Sequence, residues 1–141
     1  MSLDPQVEQF VRDNNKGVLA TFRINGMPQL SIVVCGLLRD GVGISTTEDR
    51  AKLKNLKRDP RCSLLVSKDE WWGYVVMEGR AEVLSAEDGT DPEELRLALR
   101  DVYRAASGQE HPDWDEYDEA MRQERRAVVI VRPDRVYGTA I

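Results

Sequence analysis

The sequence predicts a mainly β fold, an antiparallel barrel with helices around its periphery. Three observations predict it: six or so short apolar segments of strand length, turn residues between the early ones, and further helix-start signals between and after the strands. At 141 residues the chain has the size of one domain, spanning 1–141, and such a chain buries about two-thirds of its unfolded surface. Hydrophobic residues make up 41% and charged residues 32%, the composition of a water-soluble globular protein.

Asp4 is placed to cap a first helix, Pro5 sits at its first position, and Val7, Phe10 and Val11 share one face. Gly17–Arg23 reads as a strand, and Asn25-Gly26 supplies positive φ for a tight hairpin into a second strand at Pro28–Leu38. Arg39-Asp40-Gly41 is a further turn, so Val42–Thr46 pairs back as a third strand. Ser45 with Glu48, or Thr46 with Asp49, has capping-box spacing and introduces a helix through Ala51, Leu53 and Leu56, which Asp59-Pro60 stops. Cys62–Ser67 and Tyr74–Leu84 are strands joined by a loop carrying Trp71 and Trp72. The alternation Ala81, Glu82, Val83 leaves one face of the second wet.

Asp91-Pro92 starts a helix with apolar positions Leu95, Ala98, Leu99, Val102 and Tyr103. Asp113 with Glu116 caps the next, which places Trp114, Tyr117 and Met121 on one face ahead of Arg125 and Arg126. Ala127–Val131 is a buried strand, and Pro133 is expected to break it before Val136 and Tyr137.

A net charge of −5 argues against a binder of duplex nucleic acid, whose footprint is a basic face. Cys35 and Cys62 lie in apolar strands without ligand spacing, and the single histidine, His111, builds neither a metal site nor a relay. No secretory leader is visible and no apolar run approaches the ~20 residues of a membrane helix, so a cytoplasmic location is expected.

Chemistry concentrates at Ser45, Thr46, Arg50, Ala51 and Lys52, where a strand passes into a helix. Free amides at a helix start, hydroxyls and two cations suit a phosphate or other oxyanion. The same residues also suit a solvated helix face. Gln29 and Ser31 share a strand face that can meet a heteroaromatic edge, and Trp71-Trp72 can stack on a planar ligand or pack at an interface. No paired carboxylates or nucleophilic triad stands out, and the catalytic side chains stay unassigned.

Taken in order, Gly17–Thr21, Asn25–Ser31, Arg50-Ala51-Lys52, Asn55-Leu56, Arg58-Asp59-Pro60, Trp72-Gly73-Tyr74, Glu78-Gly79, Trp114–Tyr117 and Val136-Tyr137-Gly138 resemble the pyridoxamine-phosphate-oxidase-like superfamily. They resemble most its branch that uses the deazaflavin coenzyme F420. The resemblance covers nearly the whole chain. It implies a split antiparallel β-barrel of the FMN-binding type, and a homodimer whose two cofactor sites are built from both chains. It implies that Arg50 and Lys52 meet the phosphate or acidic tail, helped by Ser45, Thr46 and the Ala51 amide. Gln29, Leu30 and Ser31 would border the ring, and Trp72 would close the pocket. The implied activity is hydride transfer from reduced F420 to an electron-poor double bond of a small organic substrate. FMN is the alternative cofactor, and an F420- or tetrapyrrole-binding protein without turnover is the alternative role. The small apolar segment Val33–Gly36 is expected to leave the substrate side of the pocket roomy.

Overall fold

A computed structural model describes residues 3–141. Six strands, β1 (Lys16–Phe22), β2 (Pro28–Leu38), β3 (Gly41–Thr47), β4 (Arg61–Ser67), β5 (Tyr74–Leu84) and β6 (Arg126–Tyr137), form a closed barrel in the order β1-β2-β3-β6-β5-β4. All neighbours, including β1 and β4, are antiparallel. Four helices surround it: α1 (Pro5–Asp13), α2 (Ala51–Arg58), α3 (Pro92–Ser107) and α4 (Trp114–Gln123).

The caps follow the sequence. Asp4 accepts from the Gln6 amide at 2.8 Å and Asp91 from the Glu94 amide at 3.1 Å, each ahead of a proline. Asp113 accepts from the Glu116 amide at 3.1 Å. These carboxylates satisfy amides that have no partner within the helix, and replacing such a cap by alanine costs about 1 kcal/mol.

Two hydrophobic layers result from the strand period. Along β6, Ala127, Val129 and Val131 point into the barrel with Leu19, Ile44, Leu64 and Met77, while Val128 and Ile130 point out, beneath Leu95, Leu99 and Val102 of α3 and Tyr117 of α4. A strand covered on both faces has no wet side, which is why Ala127–Val131 shows no alternation. Truncating a fully buried leucine such as Leu64 is expected to cost about 2–5 kcal/mol.

Two local expectations are corrected here. In the first hairpin only Gly26 takes positive φ, at 86°, and the Gly26 amide donates to the Arg23 carbonyl, so the loop is wider than a two-residue turn. The tight turn lies instead at Arg39 (φ 48°) and Asp40 (φ 63°), between the paired residues Leu38 and Gly41. Pro133 does not break β6. It occupies a bulge opposite Gly79, where the ladder shifts register, a position at which a missing amide does little harm.

α3 lies directly on the backbone of β2. A Cβ at Gly36 would stand 2.5 Å from the Ala105 carbonyl carbon. The space left by Gly36 therefore admits the helix and does not enlarge a substrate pocket. Among the described residues no helix is long and apolar enough to cross a membrane.

Candidate functional site

The turn from β3 into α2 departs from capping-box geometry. The N-cap position of α2 is Arg50, and no side chain caps the helix. Glu48 turns away, accepting from Lys57 Nζ at 2.8 Å and from the Ser85 hydroxyl, while Asp49 accepts from the Thr47 hydroxyl at 2.5 Å. The Ala51 and Lys52 amides consequently have no acceptor among the described residues. A helix start left open in this way carries partial positive charge and donors directed outward.

The turn borders a cleft of about 880 Å³ that runs between β2, β3 and the α3–α4 pair. Ser45, Thr46, Thr47, Arg50 and Lys52 line one side, and Val102, Tyr103, Tyr117 and Met121 the other. Arg126, at the start of β6 and paired with Thr47 across the ladder, adds a third cation. Arg126 is matched by Glu124 at 2.9 Å, but Arg50 and Lys52 form no ion pair among the described residues. Partial burial, followed by the like charges of Arg50 and Arg126, holds the Lys52 amine below its ordinary pKa. Arg50 and Lys52, without an ion-pair partner beside open amides, are chemically suited to an oxyanion.

The profile of the pyridoxamine 5'-phosphate oxidase family matches residues 3–140. The chain belongs to this family. Members of the pyridoxamine 5'-phosphate oxidase family typically bind flavin-type cofactors. The open helix start with unmatched Arg50 and Lys52 fits the acidic end of such a group. Solved structures with the same fold include the conserved hypothetical protein Rv2991 from Mycobacterium tuberculosis, at a TM-score of 0.76 and 24% identity over 96% of this chain and 83% of that one. An F420 reductase aligns at a TM-score of 0.62 and 22% identity, covering 92% of this chain and 94% of that one. HutZ, the heme storage protein from Vibrio cholerae, aligns at 0.67 and 15% identity over 98% and 95%. At these identities the likeness is one of fold.

Within this family member, Ser45, Thr46, Arg50, Lys52 and the Ala51 amide meet at one end of the cleft. Gln29 and Ser31 lie on the inward face of β2, where the Gln29 side-chain oxygen accepts from Asn55 Nδ2 at 2.9 Å. Leu30 points the opposite way with 67% of its surface exposed, and Trp72 is 83% exposed in the loop between β4 and β5. A single chain thus brings Ser45, Thr46, Arg50 and Lys52 together on the cleft but leaves Gln29, Leu30, Ser31 and Trp72 outside its lining.

Arg126, Tyr103 and Met121 are among the cleft residues that the sequence did not single out as functional. Arg126 reads there as the end of a helix, and only the register opposite Thr47 reveals it. The thiols of Cys35 and Cys62 are buried, which pushes their pKa values up to about 12 and about 11 and leaves them protonated. Among the described residues no three His, Cys, Asp or Glu side chains are grouped to hold a metal. His111 accepts from the Asp113 amide at 2.9 Å through Nδ1 and packs against Tyr103, Trp114 and Tyr117.

Proposed function

We propose that this protein is an F420-dependent oxidoreductase that works as a cytoplasmic homodimer. The reading is carried by Arg50 and Lys52, two cations without acidic partners beside open amides and the Ser45 and Thr46 hydroxyls. Arg50 offers a planar fork to oxyanions, and Lys52 a mobile point charge. Together with the Ala51 amide they hold the phosphate and the acidic tail of the cofactor. When bound, reduced F420 supplies a hydride to an electron-poor double bond of a small organic substrate. The protein's own contribution is to anchor, orient and exclude water, and no side-chain nucleophile is needed.

The dimer has separate support. Leu30, Ile32 and Val34 alternate along the outer face of β2 with exposures of 67%, 75% and 57%, and Met27 and Trp72 are exposed as well. Such a stripe is suited to symmetric burial against a second copy. In the dimer Leu30 and Trp72 close on the ring, with Gln29 and Ser31 along its edge. The F420 reductase among the proteins of like fold supports this choice of cofactor over FMN.

Fluorescence titration of purified protein with F420 and, in parallel, with FMN tests the reading. Tight saturable binding of F420 with weak binding of FMN is expected. The reverse preference assigns the same cations to an FMN phosphate. Binding of F420 without turnover of any acceptor turns the enzyme into a binding protein. Sedimentation as a monomer at micromolar concentration would remove the shared site.

A further inference from the structure

A second cavity, of about 380 Å³, lies between α3, α4 and the 3₁₀ turn Ala86–Asp88. Leu95, Leu99 and Met121 provide apolar lining, and Ala86 lines it from the exposed turn. Met121 and Arg126 also line the cofactor cleft, so α4 is the partition between the two spaces.

The electrostatics of the two spaces differ. Every charged side chain around the smaller cavity already has an opposite partner. Arg125 holds Glu87, Arg96 holds Glu93 and, at 3.2 Å, Asp118, and Arg122 holds Glu119. Glu48 is held by Lys57 at 2.8 Å and Arg126 by Glu124 at 2.9 Å. An ionic ligand would lose its hydration here and find no free counter-charge, a net cost. Water fares poorly too, because it needs two or more free polar partners and the lining is largely apolar. A neutral apolar molecule loses nothing of the kind and gains by leaving water.

We propose that the cavity between α3, α4 and the 3₁₀ turn is a binding site for an uncharged, apolar small molecule, separate from the cofactor cleft. Apart from Met121 and Arg126, its lining is its own, and the proposal holds whichever cofactor the cleft binds.

The test uses the neutral fluorophore N-phenylnaphthylamine and its anionic analogue anilinonaphthalene sulfonate, which share the same rings. Titration of the full chain is expected to give saturable binding of one neutral dye per chain, not displaced by excess FMN or F420. The sulfonated dye is expected to bind at least about tenfold more weakly. Ala86→Trp fills the cavity from an exposed position and abolishes neutral-dye binding while circular dichroism stays unchanged. Ala86→Leu, a smaller fill, weakens binding in step and serves if the tryptophan variant does not fold. The proposal is overturned by absence of saturation, displacement by FMN or F420, undiminished binding in the filled variants, or equal affinity for the sulfonate.

Discussion

The turn between β3 and α2 has two sides that treat charge in opposite ways. On one side Glu48, almost wholly buried, accepts from Lys57 and Ser85 and is tied to the loop after β5. On the other side, two and four residues later, Arg50 and Lys52 have no acidic partner among the described residues. A buried carboxylate kept in place by full pairing holds the shape of the turn. Lys52, partly buried beside like charges, is held in a charged form that the free protein disfavours, and an arriving anion relieves that penalty. The matched half is thus read as architecture and the unmatched half as receptor.

Removing the matched carboxylate is the most severe way to probe this difference. Glu48→Ala leaves Lys57 with Asp88 alone and is expected to lower unfolding stability by about 3 kcal/mol, measured by urea denaturation. If stability is unchanged, the network does not hold the turn. Arg50→Ala and Lys52→Ala are expected to do the reverse. Each should leave the denaturation midpoint unlowered and weaken cofactor binding by about ten- to a hundredfold, as loss of a charge-assisted contact of about 1.5–3 kcal/mol implies. Turnover at saturating cofactor should fall far less than affinity, because a ground-state anchor is removed. Unchanged affinity in titration would turn the unmatched side back into a solvated helix face.

The two sides also differ in pH dependence. Burial alone would raise the Glu48 pKa, but hydrogen bonds from Lys57 and Ser85 and the charges of Lys57 and Arg125 outweigh it and hold the carboxyl below its ordinary value near 4.5. Its stabilising contribution is therefore complete above that value and is lost as pH falls through the depressed pKa. Stability of Glu48→Gln, followed by denaturation between neutral and acid pH, should fall less steeply than that of the unaltered protein. For Lys52 the sign is opposite. Its lowered pKa means that the folded state disfavours the charge, a penalty that is full at neutral pH and fades as pH rises through the depressed value towards 10.5. Lys52→Met is expected to raise the melting temperature of the cofactor-free protein slightly, by about 0.5 kcal/mol of stability or less. A lowered melting temperature would place Lys52 on the matched side.

The local grammar of the chain was readable because each signal acts over a few residues. Asp4-Pro5, Asp91-Pro92 and Asp113 cap the helices they were expected to start, and β2 and β5 have the bounds Pro28–Leu38 and Tyr74–Leu84 that alternation and turn residues predict. The failures share a cause. Glu48 had the spacing of a capping residue, but Lys57 and Ser85 offered it more, and Pro133 had the look of a strand end until a bulge opposite Gly79 absorbed it. In both places a distant partner overrode a local preference.

The candidate site divides along the same line. That Ser45, Thr46, Arg50 and Lys52 stand at a strand-to-helix passage is a property of the sequence alone, since strand period, turn chemistry and the spacing of cations are all local. That Arg126 joins them, that Gln29 is engaged by Asn55, that α3 occupies the space at Gly36, and that Leu30 and Trp72 face outward were decided only by closure of the barrel. The physical reason is register: which residues of β2, β3 and β6 stand opposite one another depends on pairings between segments far apart in sequence, and a shift of one residue turns every side chain to the other face.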